Sequence, residues 1–191
     1  MASSLCVQPS NVSQFLSQEQ LAAEVRRLAG RPAEWVSRVR LDPEGRWYEQ
    51  IHLDGCYEIW LISWLPGQST GFHDHGQANG AFSVVWGALD ECTVSSGPVP
   101  SGPVLGGPVP SGPVLGGAGQ PRPVSGVTVR PVTQGVVRAF GPRYVHDVRN
   151  SSNGSVAVSI HAYSPPLSEM TRYDLTPGGL VVAATESQDD W

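Results

Sequence analysis

Apolar residues recur at helical spacing only near the start of the chain. Leu21, Val25 and Leu28 form one stripe of a helix over 19–29. Ser17 and Gln20 have the spacing of a capping box before it, and Gly30 and Pro32 close it. A second short helix is expected over 32–39, with proline in its first turn. The first forty residues therefore read as a helical flank packed on a sheet. From Arg46 onward the period shortens to that of strands, expected at 47–53, 57–64, 81–87, 89–94, 127–132, 136–140, 145–149 and 156–163. Short strands separated by Gly, Pro and Asn turns predict a mainly β fold, a sandwich or small barrel. The order of helices first and strands after argues against an alternating α/β fold.

One stretch breaks the pattern. Residues 97–106 read GPVPSGPVLG, residues 107–116 repeat them without change, and no charged residue lies between Glu91 and Arg122. Proline and glycine at this density build neither a ladder nor a helix, so 95–125 is expected to be an irregular insertion arising from a tandem duplication. A lid over a site, or a proline-rich ligand for a partner, is the sharper alternative. The chain then divides as one domain, 1–191. Helices occupy 1–40, the barrel 46–94 and 126–173, the insertion 95–125, and a tail 174–191.

Composition narrows the partners. The 191 residues carry a formal charge of −5 and no basic cluster, which argues against nucleic acid. No apolar run is long enough to span a bilayer, and the opening Met1-Ala2-Ser3-Ser4-Leu5 has neither the basic nor the apolar region of a secretory signal. Three cysteines, Cys6, Cys56 and Cys92, are odd in number and widely spaced. They suggest neither a disulfide framework nor a zinc site, and Cys56 and Cys92 read as small buried apolar side chains. A reducing cytoplasm is the expected compartment. No obligate protein partner is evident.

The candidate chemistry lies in histidines. In Gly71-Phe72-His73-Asp74-His75 the two histidines at i and i+2 share one face of a strand, and His146, in a later strand, can close a three-nitrogen metal site. Gly87 follows the first group at turn spacing. The later group runs Gly135-x5-Gly141-Pro142-Arg143-x2-His146-x3-Asn150. Together these segments resemble the two cupin motifs, over about residues 46–173. The fold this resemblance implies is a cupin double-stranded β-helix, or jelly-roll, barrel with short N-terminal helices. Cupins usually place a glutamate ligand where this chain has Asn79, so the implied ligands are three imidazoles. A facial set of this kind leaves positions open for substrate and dioxygen.

The segment Ser159-Ile160-His161-Ala162-Tyr163-Ser164-Pro165-Pro166 resembles the Ser-x-His-x-Tyr-Ser-Pro-Pro segment of the cysteine dioxygenase family. The resemblance implies Fe(2+) held by His73, His75 and His146, with O2 as co-substrate. It implies a relay of Ser159, His161 and Tyr163, in which the tyrosine hydroxyl stands near the reacting groups. The implied reaction is dioxygenation of a thiolate to a sulfinic acid. The cysteine that cross-links to the tyrosine in animal members is replaced here by Gly80. The Tyr-x-Arg that binds the substrate carboxylate aligns with Tyr48-Glu49-Gln50, and glutamine there resembles the 3-mercaptopropionate dioxygenases. Arg172 matches the arginine that serves such members. The expected substrate is therefore a small thiol carboxylate, 3-mercaptopropionate or L-cysteine, with Arg172 and Gln50 at its carboxylate.

Other readings stand beside these. Arg138, Arg143 and Arg149 flank the second motif and are rival anion binders. His52 reads as solvated at the pocket mouth, and Trp60, Trp64 and Trp86 as packing residues. The alternative function is a non-catalytic cupin that binds a metal or small ligand. Acireductone- and quercetin-type dioxygenases keep the glutamate ligand that this chain lacks.

Overall fold

A computed structural model describes residues 15–96 and 124–188. The repeat at 97–116, with most of the expected insertion, lies outside the described residues, as do residues 1–14.

The N-terminal helix α1 (Gln18–Ala29) opens on the expected capping box. Ser17 Oγ accepts from the Gln20 N–H at 3.3 Å, and Gln20 Oε1 accepts from the Ser17 N–H at 2.8 Å. The Gly30 N–H donates to Arg26 O at 3.1 Å and ends the helix. The expected second helix is instead two 3-10 turns, Pro32–Glu34 and Val36–Arg38. Between them Trp35 leaves helical geometry (φ −135°) and is buried, its indole N–H donating to Leu28 O at 3.1 Å. Anchoring that ring under α1 takes precedence over helix continuity.

Eleven strands follow among the described residues: β1 (Trp47–Leu53), β2 (Glu58–Trp64), β3 (Phe72–Asp74), β4 (Asn79–Trp86), β5 (Ala88–Ser96), β6 (Val124–Thr133), β7 (Val137–Phe140), β8 (His146–Arg149), β9 (Ala157–Ser164), β10 (Glu169–Thr176) and β11 (Gly179–Ser187). They form two antiparallel sheets, ordered β1-β2-β9-β4-β7 and β11-β10-β3-β8-β5-β6. The expectation of a tail over 174–191 is corrected: β10 and β11 form a hairpin that extends the second sheet, Thr176 facing Gly179 at its turn. Their signal is weak because most of β11 beyond Gly179 and Leu180 is solvent-facing.

Strand β9 explains how the architecture serves a site. Every residue of Ala157–Ser164 is buried, so both faces are covered. Val158, Ile160 and Ala162 pack with Leu21, Val25 and Leu28 of α1 and with Leu61, Ala81 and Val85. The alternate residues Ser159, His161 and Tyr163 point the other way, into the space between the sheets. The helix covers one face of β9, and the polar residues are left to the interior.

Cys92 is buried and free. Cys56 is buried and disulfide-bonded. This corrects the reading of Cys56 as a plain small apolar side chain. No described helix is long and apolar enough to cross a membrane.

Candidate metal centre

The histidines come together as their strands pair. His73 on β3 is the Cα partner of His146 on β8, and His75 follows at the end of β3. All three are buried, and one ligand nitrogen from each lies within 4.8 Å of the others. His73 Nε2 and His75 Nε2 are 3.1 Å apart. Two nitrogens at bond lengths of about 2.0–2.1 Å to one ion, spread between octahedral and tetrahedral angles, stand about 2.8–3.4 Å apart. The spacing fits a shared metal ion.

Tautomers support the same arrangement. His73 Nδ1 lies 3.0 Å from Gly71 O, which can only accept, so Nδ1 carries the proton and Nε2 keeps its lone pair. His146 Nδ1 lies 3.1 Å from Glu91 Oε1, with the same consequence. Burial first, and then the neighbouring imidazoles, hold the pKa values of His73 and His75 well below the ordinary histidine range. Neutral rings present donor lone pairs to a cation. The residues present therefore fit a metal held by His73, His75 and His146.

Glu91 behind His146 is a residue that the sequence reading does not single out. It is fully buried, accepts from Arg138 Nε at 2.6 Å through its other oxygen, and keeps its pKa below the usual carboxylate value. Burial opposes that lowering, while the bonds to His146 and Arg138 outweigh it. In the sequence it is one of two adjacent acids, Asp90 and Glu91, in a strand that is only partly buried, and nothing there marks it. Such a carboxylate orients the ligand and raises its basicity. Glu91→Gln is expected to weaken metal affinity about 10–100-fold, measured by competition with a chromophoric chelator. Unchanged affinity would remove Glu91 from this role.

The relay residues also meet. Trp64 Nε1 donates to Ser159 Oγ at 2.8 Å, Ser159 Oγ lies 2.8 Å from His161 Nε2, and His161 Nδ1 lies 3.4 Å from the Tyr163 hydroxyl. Indole N–H only donates, so Ser159 Oγ accepts from Trp64, while the direction of its contact with His161 Nε2 is set by the His161 tautomer. With the His161 proton on Nδ1, Ser159 donates to His161 Nε2. In that tautomer the Tyr163 O–H is free to donate into the cavity, and in the other it donates to His161 Nδ1. Trp64, expected to be packing alone, anchors this chain. Burial lowers the pKa of His161 to about 3, and burial, then the charge of Glu58, pushes that of Tyr163 far up.

Around these groups lies a cavity of about 120 Å³, with Ile62, Val148, Leu167 and Met170 as apolar walls. Tyr163 stands 4.6 Å from His75, centroid to centroid. Arg172 lines the cavity, and its Nε donates to Glu186 Oε1 at 2.8 Å. Gln50, expected at the substrate carboxylate, stands outside the lining. Its amide donates to Glu58 Oε2 at 2.8 Å and does not line the cavity, because buried Glu58 needs that donor. The rival arginines are absent from the lining: Arg138 is held by Glu91 and Arg149 by Asp147, and Arg143 lies outside it. His52 is turned to Asp54 at 3.3 Å and to the Tyr57 ring. Trp60 lines the cavity, while Trp86 is exposed.

Two replaced positions are structurally occupied. Asn79, where cupins usually carry a glutamate ligand, donates to Leu16 O at 3.2 Å. Gly80 is the Cα partner of Tyr163, and a Cβ there would meet the Phe140 ring at 2.2 Å. Phe140 fills the space beside the tyrosine and stacks on His75 at 5.3 Å.

Two antiparallel sheets enclosing a three-histidine cluster define a cupin. The family model described as "Cysteine dioxygenase type I" matches residues 2–176, and the chain belongs to that family. No curated protein matches the sequence. Among solved structures, the chain is similar to a Thermus thermophilus protein (16% identity, 69% of this chain and 94% of that one, TM-score 0.46). It is also similar to a Klebsiella pneumoniae protein with a double-stranded β-helix domain (15%, 68% and 80%, TM-score 0.47). An RmlC-like cupin from Desulfovibrio desulfuricans is a third (18%, 68% and 91%, TM-score 0.45).

Proposed function

We propose that this protein is an iron(II)-dependent thiol dioxygenase. It adds both atoms of O2 to the sulfur of a small thiol carboxylate, 3-mercaptopropionate or L-cysteine, and gives the sulfinic acid. The observation that carries this reading is the placement of a hydrogen-bond chain, running from Trp64 through Ser159 and His161 to the Tyr163 hydroxyl, beside three converging imidazoles. Both oxygen atoms enter the product, so the reaction needs no external reductant. Ferrous iron, when bound, supplies a site where a thiolate is favoured over the thiol and where dioxygen is activated.

The chain's own residues then have limited tasks. His73 and His146 present fixed tautomers through Gly71 O and Glu91. Ile62, Val148, Leu167 and Met170 exclude water from the sulfur end. With the proton of neutral His161 on Nδ1, Tyr163 directs its hydroxyl proton towards the reacting groups, and His161 keeps that orientation without adding charge.

The test is oxygen uptake by anaerobically iron-loaded protein after mixing with air-saturated thiol, with the product identified by mass. A gain of two oxygen atoms on the thiol, stoichiometric with O2 consumed, is the expected result. If no small thiol drives uptake, the enzyme reading fails and a non-catalytic metal-binding cupin takes its place.

A further inference from the structure

The cavity before the histidines receives two guanidinium groups, from Arg46 and Arg172, and no aspartate or glutamate side chain is in its lining. The two cations are held differently. Arg172 has Glu186 at 2.8 Å and donates to Thr70 O at 3.1 Å. Arg46 has neither an ion pair nor a hydrogen-bond acceptor among the described residues. Its guanidinium carbon instead lies 5.3 Å from the centroid of the Trp64 ring, the same indole whose N–H starts the relay to Tyr163. Burial, and then the like charge of Arg172, pull the Arg46 pKa below the ordinary guanidinium value. A desolvated cation without a counter-ion is costly, and an anion entering the cavity relieves that cost.

Arg46 stands two residues before Tyr48, which also lines the cavity, whereas Gln50, two further on, is consumed by Glu58. The charged fork that Gln50 lacks is thus supplied from the start of the same strand. A guanidinium over an aromatic face keeps its in-plane N–H groups free for a bidentate carboxylate.

We propose that Arg46 is the specificity-determining residue of this pocket: it takes the carboxylate of a thiol acid and, with Arg172 and an acid-free lining, disfavours substrates that carry an ammonium group. The preferred class is therefore a mercapto carboxylic acid without an amine. The thiol half of this assignment rests on the dioxygenase reading, while the anion-binding half rests on the cavity alone.

The test is calorimetric binding to iron-loaded, oxygen-free full-length protein, using 3-mercaptopropionate, its neutral analogue 3-mercaptopropanol, and L-cysteine. Wild type is expected to bind 3-mercaptopropionate about tenfold or more tightly than either of the others. Arg46→Met should bring the carboxylate-to-alcohol ratio close to one without changing alcohol affinity or iron content. Arg46→Lys, which keeps the charge and loses the fork, should fall between. An Arg46→Met protein that keeps the wild-type ratio, or wild type that shows no carboxylate preference, overturns the anion assignment. Tighter cysteine binding overturns the discrimination against amines. Carboxylate binding that depends on Arg46, in a protein that oxidises no thiol, leaves the anion site standing and removes the dioxygenase reading. Thiol turnover with an unchanged ratio in Arg46→Met does the reverse.

Discussion

His75→Ala is expected to leave the protein folded and without bound metal. Three donors converge here, with Nε2 atoms of His73 and His75 at 3.1 Å, and removing one leaves two imidazoles on an ion that needs at least three protein ligands to outcompete water. Removing a partner behind a ligand costs about 10–100-fold in affinity, so removing a ligand itself should cost more than about a hundredfold. Folding should survive for a separate reason. His75 is buried between Phe140 and Tyr163 by ring contacts, and its Nδ1 has no hydrogen-bond partner. Truncation opens a cavity yet also removes an unpaired polar atom, two effects of opposite sign and each of about 1–3 kcal/mol. The checks are metal content after dialysis, a melting curve of the metal-free protein, and oxygen uptake, which should fall to background. Stoichiometric metal in the variant would refute His75 as a ligand.

The parts of this site legible in the sequence are those for which short spacing and strand geometry act together. His73 and His75 sit two apart, Ser159, His161 and Tyr163 alternate on β9, and alternation alone puts each set on one face. The pairing of His73 with His146 spans a long stretch of chain, and only resemblance to known motifs makes it visible. The legible parts of the fold follow the same division. Helix α1 announces itself through its cap and apolar stripe, whereas β10 and β11 carry no comparable pattern, since β11 is the edge strand and between them the two strands fully bury only Gly179 and Leu180.

The residues that sequence reasoning misses are those whose role depends on a partner distant in the chain. Glu91 looks like an ordinary strand acid until β5 pairs with β8 and brings it to His146. Trp64 looks like core until its indole meets Ser159. Alignment puts Gln50 at the substrate, but a buried carboxylate on the next strand claims its amide first. Arg46 gives no signal because nothing in its immediate sequence distinguishes it from a surface arginine. What distinguishes it is that the fold gives it an aromatic face and, among the described residues, no ion-pair partner.

Tyr163→Phe should separate catalysis from assembly. The change deletes one oxygen and keeps the ring that packs against His75, so metal content should equal that of wild type. What is lost is the terminal donor of the chain from Trp64 through Ser159 and His161. A positioned group that supplies or orients a proton is worth about 10²–10⁴ in rate, and turnover should fall by about a hundredfold or more. Binding of the thiol carboxylate should change little, because Arg46 and Arg172 remain. The direction of the pKa shifts adds a second readout. Burial raises the Tyr163 pKa, so its hydroxyl stays protonated through the neutral and mildly alkaline range, and wild type should show no loss of activity from tyrosine ionisation below about pH 10. His161, with its pKa lowered to about 3, stays neutral over the same range. A variant rate equal to wild type would mean that the chain merely packs the barrel. A lost rate with retained metal and retained substrate affinity would place the proton of Tyr163 in the rate-determining chemistry.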